Sequence, residues 1–346
     1  MNRSALVILA VVLQFFVLAF MAGKRELLVR TGRTVWIRTA PIDPRDLFRG
    51  DFVRLNYQLN RVTDSELSGD LVTSARRSAG EVVYSVLRET ENGLVELDHA
   101  TDARPEAGLF LKGRSTHDWG FRSRRGQVLT VKYGIETYFV EQGAGLEMES
   151  KRGSRGGVQV PLEVEVAVGG DGTAIIKGHR WAPLGIGVRT IPPPSQVRQP
   201  GQPAPTPSVG AKLELTLENA SEGTLAIVNL PDLGAFRLRS VRWAPRQYEL
   251  VEPLAQDSPV EDAHVISLQP GESHVYRIDL ENDRWLVRAK GTQETPVKIA
   301  TLPWEQTFRF VYSSPPREAC AHLESSAAIW HGSLESQAFH AAGRVD

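Results

Sequence analysis

The chain has 346 residues, of which 40 are lysine or arginine and 41 are aspartate or glutamate, so its formal net charge is −1. A protein with this charge balance lacks the broad positive electrostatic field that attracts nucleic acid, so we expect no nucleic-acid partner. The length is sufficient for two domains with separate cores. Cys320 is the only cysteine, which excludes an internal disulfide.

The N-terminal segment is far more apolar than the chain as a whole, whose mean hydropathy is −0.23. An uncharged run begins at Ala5 and ends at Ala22, with Gln14 as its one strongly polar residue. At 1.5 Å per residue it reaches about 27 Å, close to the hydrocarbon thickness of a bilayer. A cleaved signal peptide is the alternative, but it needs small residues just before the cut, and Phe20-Met21-Ala22 offers only one. We therefore expect an uncleaved single-pass anchor over residues 1–25, with the lipid bilayer as its partner.

The charges that flank the run do not decide its orientation, because Arg3 precedes it and Lys24 and Arg25 follow it. Large domains are translocated largely regardless of such charges. We expect the bulk of the chain to lie outside the cytoplasm, on the periplasmic side of the membrane.

Residues 40–51 combine prolines, charges and a glycine in the pattern of one tight, capped helical turn. Asp43 is placed to cap the turn, Pro44 suits the first helical position, and Asp46 lies near the positive end of the dipole. Gly50 can adopt the left-handed conformation that ends such a turn.

A strand with alternating side chains follows at residues 52–59. Val53, Leu55, Tyr57 and Leu59 share one face, which this period of two predicts to be buried.

The run Gly50-Asp51-Phe52-x-x-Leu55-x-Tyr57 resembles the GDYXXLXY-motif proteins, with phenylalanine in place of the usual tyrosine. The segments 41–49 and 133–141 match the same family, and the resemblance ends near Arg180. It implies a membrane-anchored protein with no known activity and with a polytopic membrane protein as a candidate partner. The motif residues to which we assign a structural or interaction role are Asp43, Pro44, Arg45, Asp46, Arg49, Gly50, Asp51, Leu55, Tyr57, Tyr133, Gly134, Glu136 and Tyr138.

The chain between residues 26 and 190 is predicted to form one β-rich domain. Strand-like stretches, rich in β-branched and aromatic residues, occur at 26–39, 81–90, 94–99, 110–114, 127–133, 161–168 and 173–177. Asn92-Gly93 and the sequence Gly-Gly-Asp-Gly at 169–172 are hairpin signals. Residues 62–78 are predicted as loop or a short helix, and residues 134–140 as a brief helix.

A proline-rich segment at 191–208 has the composition of a stiff, extended linker. Beyond it, short strand-like runs broken by Pro, Gly and Asp predict a β-sandwich domain over residues 209–346. Gln269-Pro270-Gly271-Glu272 and Ile329-Trp330-His331-Gly332 give this part a topological similarity to bacterial immunoglobulin-like extracellular modules. That similarity implies a binding or spacer domain.

Three aspartates of the motif region offer one catalytic hypothesis, since paired carboxylates serve hydrolases as acid and base. They are Asp43, Asp46 and Asp51. Interleaved arginines lower a carboxylate's pKa and favour a structural, charge-laced turn instead. We therefore assign no catalytic residue, and a cell-envelope hydrolase is the alternative function.

The histidines and acidic residues show no known metal-ligand spacing, and no phosphate-binding glycine loop is present. We expect no metal and no cofactor. The sequence thus predicts a mainly β, membrane-anchored extracytoplasmic protein with a binding or accessory role beside a membrane-protein partner.

Overall fold

The computed structural model describes residues 3–40, 52–63, 66–73, 78–90, 92–116, 128–141, 148, 157–191, 212–241, 244, 246–251 and 259–345. In these ranges the protein is mainly β, with many antiparallel sheets and one long N-terminal helix. The predicted fold class is confirmed at this level.

Helix α1 (Arg3–Thr31) is long and apolar enough to cross a membrane. It continues past the apolar run and through Gly23, because no proline occurs before Gly32, whose N–H donates to the Leu28 carbonyl at 2.8 Å. An ion pair one turn apart, Arg30 to Glu26 at 2.6 Å, supports this last part of the helix. The prediction of a strand from residue 26 was therefore wrong, since the first strand begins only at Arg33.

The first half of the chain contributes eleven strands in the described ranges. They are β1 (Arg33–Arg38), β2 (Phe52–Arg54), β3 (Arg61–Thr63), β4 (Val82–Glu89), β5 (Val95–Thr101), β6 (Phe110–Ser115), β7 (Val128–Lys132), β8 (Thr137–Phe139), β9 (Val158–Gln159), β10 (Leu162–Val168) and β11 (Ala174–Trp181). A short 3-10 helix (Gln58–Asn60) and helix α2 (Asp70–Thr73) join them. The sheets have the orders β1-β10-β11, β3-β7-β6-β4-β5 and β2-β8.

Both predicted hairpins of this half are confirmed. Strands β4 and β5 pair through a turn in which Gly93 has φ of +74°, and β10 and β11 pair through a turn in which Gly172 has φ of +80°. Glycine is required there because these turns use left-handed backbone conformations.

The predicted brief helix at 134–140 was wrong, because β8 is extended and pairs with β2. A seven-residue helix is marginal by itself. A neighbouring strand that supplies backbone hydrogen bonds therefore decides this segment's conformation.

The second half adds twelve strands among the residues that the structure describes. They are β12 (Leu184–Ile191), β13 (Lys212–Asn219), β14 (Leu225–Val228), β15 (Phe236–Ser240), β16 (Tyr248–Leu250), β17 (Val265–Leu268), β18 (Ser273–Asp279), β19 (Leu286–Ala289), β20 (Val297–Lys298), β21 (Thr307–Ser313), β22 (Ser333–Glu335) and β23 (Phe339–His340). Helix α3 (Arg317–Cys320) and short 3-10 turns connect them. The sheets are β18-β13-β12-β9, β14-β17 and β20-β19-β16-β15-β21-β22, with β23 also paired to β21.

Two large cores divide the described residues. The first core packs the β1-β10-β11 sheet against the five-stranded sheet, and includes Ile37, Val166 and Leu111. The second core lies between the four-stranded and seven-stranded sheets, and includes Leu215 and Phe310. This layering of two sheets is that of a sandwich.

The change from the first core to the second occurs before the proline-rich segment. Strand β12 precedes that segment, yet it pairs with β13 over eight residues, from Leu184↔Asn219 to Ile191↔Lys212. Its buried side chains, such as Ile186, belong to the second core. Strand β12, on the N-terminal side of the predicted linker at 191–208, thus already forms part of the second core, and residues 192–208 themselves lie outside the described residues.

Candidate functional site

The motif residues divide into two groups. Six of them lie in the described ranges, namely Leu55, Tyr57, Tyr133, Gly134, Glu136 and Tyr138. The other seven, Asp43, Pro44, Arg45, Asp46, Arg49, Gly50 and Asp51, lie outside the described residues, and so do the predicted capped turn and the three aspartates of the hydrolase hypothesis.

The two segments that carry the described motif residues are neighbours in the fold. Strand β2 pairs with β8 in the register Val53↔Tyr138 and Arg54↔Thr137. The Leu55 N–H extends this pairing by donating to the Glu136 carbonyl at 2.8 Å. Residues that are far apart in the sequence thus form one structural unit.

The predicted alternation after the motif glycine is confirmed. Val53, Leu55, Tyr57 and Leu59 are each at most 3% exposed, whereas Arg54 and Asn56 are exposed. The regular strand ends at Arg54, but the alternate burial continues into the 3-10 helix. This face therefore anchors the motif in the first core.

Tyr57 is the aromatic residue that links the two segments. Its hydroxyl donates to the Ile135 carbonyl at 2.6 Å, and its ring is buried. Burial, assisted by the negative charge of Glu136, raises the pKa of Tyr57 well above its usual value. The hydroxyl thus stays protonated and serves as a hydrogen-bond donor.

Glu136 organises the turn between β7 and β8. Its Oε1 accepts from the Tyr133 N–H at 2.6 Å, and its Oε2 accepts from the Gly134 N–H at 2.9 Å. Gly134 has φ of +83°, a conformation that favours glycine and aims both amides at the carboxylate. Both carboxylate oxygens of Glu136 accept hydrogen bonds from backbone amides, which indicates a structural role rather than acid or base catalysis.

Asn60 joins this network, and the motif comparison missed it. Its Oδ1 accepts from the Tyr57 N–H at 2.5 Å, and its Nδ2 donates to the Val131 carbonyl at 2.7 Å and to Glu136 Oε1 at 3.2 Å. An asparagine directly after an alternating strand is an ordinary turn residue, so its sequence position carried no signal of this role.

Tyr133 closes the network from the other side. Its hydroxyl donates to the Leu59 carbonyl at 2.8 Å and lies 2.7 Å from the hydroxyl of the buried Ser85. All these polar groups have partners, as a buried network requires. We refer to Tyr57, Asn60, Tyr133, Gly134 and Glu136 as the motif network.

Tyr138 stands apart from the motif network, on the surface. Its hydroxyl lies 3.1 Å from Nδ1 of His179, and the two rings meet edge to face at 5.5 Å. Partial burial raises the pKa of Tyr138. The adjacent Phe139 is 75% exposed.

A second charged cluster, which the sequence did not indicate, lies on the β1-β10-β11 sheet. Glu163 is 2% exposed, and its two oxygens accept from Arg38 Nη2 and Arg180 Nε, each at 2.8 Å. The Arg180 guanidinium lies 4.1 Å from the centroid of the Trp36 ring. Arg38 also donates to the Ser333 carbonyl, so this cluster connects the two halves.

An open cleft of about 300 Å³ lies where the halves meet, and one of its lining residues is Gln58, between Tyr57 and Asn60 of the motif network. Arg38 and Arg239 line it, but Glu163 and Glu335 pair with them. The two arginines that line the cleft are therefore already neutralised by ion pairs.

Metal ligation has no support in the part of the chain that the structure describes, where no cluster of three or more His, Cys, Asp or Glu residues could hold an ion. The described carboxylate of the motif, Glu136, is bonded to backbone amides. The arrangement thus stabilises a fold and presents no assembled reaction centre among the described residues.

The comparisons with known proteins agree with this division. The model of the GDYXXLXY protein family matches residues 14–178, which include the C-terminal part of α1, both motif segments and most of the first core. No curated protein and no solved structure matches the chain at a significant level. Residues 14–178 of this chain thus match the GDYXXLXY family, and the second β-rich half lies outside that match.

Proposed function

We propose that this membrane-anchored protein holds its two β-rich halves outside the cytoplasm and acts there as a binding or accessory partner of a polytopic membrane protein. The observation that carries the proposal is that α1 is exposed from residue 7 to the end of its apolar run at residue 22 and is joined to β1 through Gly32 alone. The anchor and the first core are thus directly connected.

The exposed helix needs an apolar environment. Phe15, Phe16 and Phe20 are each about two-thirds exposed, as are most other apolar side chains of the run. Burying a phenylalanine side chain stabilises by about 1.5–3 kcal/mol. A bilayer or neighbouring membrane helices would supply that burial, which no described part of the chain does.

Gln14 gives the anchor a specific point of recognition. It is an exposed amide in the middle of an otherwise apolar run. An amide in hydrocarbon favours a helix partner that offers a hydrogen bond, and such bonds join transmembrane helices. This favours a polytopic protein over lipid alone at that face.

A photo-crosslinking residue at position 14 of the full-length protein, in its native membrane, tests the partner. We expect a crosslinked adduct with another membrane protein. The matched control is position 12, which lies about 200° around the helix from position 14. Adducts with lipid alone at both positions would contradict the partner proposal.

A separate experiment with the variant Gly223→Cys tests on which side of the membrane the second half lies. A Cβ at Gly223 has open space and its φ is ordinary, so the substitution is tolerated sterically. A membrane-impermeant maleimide should label this cysteine in intact spheroplasts. Labelling only after lysis would place the second half in the cytoplasm.

The hydrolase alternative gains no support from the described residues. Its aspartates lie outside them, and Glu136 is taken up by the motif network.

A further inference from the structure

The end of the first core that faces the membrane can be identified from strand register. Gly32 alone separates the end of α1 from β1, whose first residue, Arg33, pairs with Val168, the last residue of β10. The turn at residues 169–172, which we call the hairpin tip, follows Val168 directly. The helix and the hairpin tip thus share one end of this sheet.

The helix packs against the base of the hairpin tip. A Cβ built on Gly169 would lie 2.9 Å from Leu28 Cδ1, and one on Gly32 would lie 3.2 Å from the Ala167 methyl. Leu28 is partly buried, whereas the helix residues from 7 to 27 are exposed. The helix therefore touches the first core only near its C-terminal end and does not fold back along the sheet.

The height of this contact above the bilayer follows from the helix rise. Leu28 lies six residues beyond Ala22, or about 9 Å above the end of the apolar run. The headgroup region adds about 6 Å on each side of the hydrocarbon core. The base of the hairpin tip would thus be just above the headgroups.

The tip itself extends from Leu28 back toward the membrane. The pKa of Asp171 is lowered, mainly by the hydrogen bond from the Thr173 N–H and in part by the charge of Lys24. Lys24 lies four residues before Leu28, about 6 Å closer to the apolar run. Arg104 holds the neighbouring loop to the tip by donating to the Gly170 carbonyl at 3.0 Å.

We propose that the hairpin tip and the loop bearing Arg104 form the membrane-facing surface of the protein, in contact with the phospholipid headgroup layer. This rests on the proposed membrane anchoring. The tip carries glycines and an aspartate rather than large apolar side chains, so it contacts headgroups without entering the hydrocarbon. Lys24 and Arg104 supply cationic donors for lipid phosphates. The bilayer is the occupant because α1 ends at this same surface.

The register also places the second half away from the bilayer. Strand β1 runs from Arg33 at the hairpin end to Arg38, which is five residue steps or about 17 Å. At Arg38, the end of β1 opposite the hairpin tip, the guanidinium forms an ion pair with Glu163. It also donates a hydrogen bond to the Ser333 carbonyl of the second half. The junction between the halves thus lies about 17 Å from Arg33 along β1, at the end of the strand opposite the hairpin tip.

The test places a fluorophore at Gly170→Cys or Gly223→Cys of the full-length protein in nanodiscs of phosphatidylcholine. Both glycines have ordinary φ and open space at Cβ, and the native Cys320 is fully buried, so labelling is selective for the new cysteine. Nitroxide attached to the lipid headgroup quenches the fluorophore at short range. Because Gly223 belongs to the second half, which joins the first about 17 Å from Arg33 along β1, we expect quenching at position 170 to exceed that at 223 by about twofold or more.

The possible outcomes distinguish a failure of the proposed membrane-facing surface from a failure of the proposed membrane anchor. Failure of the protein to incorporate into nanodiscs would overturn the anchoring and the inference with it. Incorporation with equal quenching at the two positions would overturn the inference alone. Weak quenching at position 170, together with disulfide crosslinks between two copies of the Gly170→Cys variant, would show a second copy on this surface and would also overturn it.

Discussion

The two halves are stabilised by different chemistry. The first core includes residues of the motif network, in which side chains satisfy backbone groups that are distant in sequence, such as Tyr57 to Ile135 and Asn60 to Val131. The second core relies on aromatic packing: Phe310 stacks on Phe339 at 4.6 Å and meets Trp285 edge to face at 5.2 Å. The residues of such a hydrogen-bond network are less freely exchanged than those of an aromatic core. Hydrogen bonds demand particular residues, whereas many apolar residues can fill a core of suitable volume.

The largest effect is expected in the aromatic core. Phe310→Ala should lower the free energy of unfolding by about 3–5 kcal/mol, because it removes a fully buried ring and leaves a cavity. Urea unfolding followed by tryptophan fluorescence measures this loss. The control Val275→Ala changes a half-exposed residue of the same half and should stay within about 0.5 kcal/mol. Equal losses for both would refute a core role for Phe310.

Removing the carboxylate of the motif network should have the next largest effect. Glu136→Ala should cost about 2–3 kcal/mol, since the amides of Tyr133 and Gly134 lose a charged acceptor. Glu136→Gln keeps one acceptor oxygen and should recover part of this loss. If denaturant unfolding shows both variants as stable as the wild type, the network does not hold the two motif segments.

Two buried tyrosines provide a sharper comparison between the halves. Tyr57→Phe should cost about 1–2 kcal/mol, because the Ile135 carbonyl loses its donor. Tyr276→Phe should be neutral or stabilising, because the buried Tyr276 hydroxyl has no hydrogen-bond partner within the described ranges. Thermal melts of the two variants should therefore move in different directions. A loss for Tyr276→Phe as large as that for Tyr57→Phe would remove the contrast.

The smallest effect is expected from the ionisation of the Tyr57 hydroxyl, which should lower the free energy of unfolding at alkaline pH. Burial raises the pKa of Tyr57 above its ordinary value of 10.0, so the folded state holds this proton more tightly than the unfolded state. The resulting stability is fully present below about pH 10 and is lost as pH rises further, by up to about 1.4 kcal/mol per pH unit. Stability measured from pH 9 to 11 should fall less steeply in Tyr57→Phe than in the wild type. An unchanged slope would show that Tyr57 ionises as freely in the folded state.

The site could be predicted from the sequence only in part. Tyr57, Tyr133, Gly134 and Glu136 were found because the resemblance marks them, and the structure brings them together. Asn60 was missed because its three partners lie on different segments. The Glu163 cluster was missed for the same reason, since its arginines come from β1 and β11.

The sequence by itself determined those features that depend on neighbouring residues. They are the apolar helix, the alternate burial from Val53 to Leu59 and the glycine turns at Gly93 and Gly172. Tertiary structure alone decided that β8 is extended and that β12 belongs to the second core. The physical reason is that a short segment gains little from its own backbone hydrogen bonds. Its conformation and its place in a sheet are set by strands such as β2 and β13, which the chain supplies from far away in sequence.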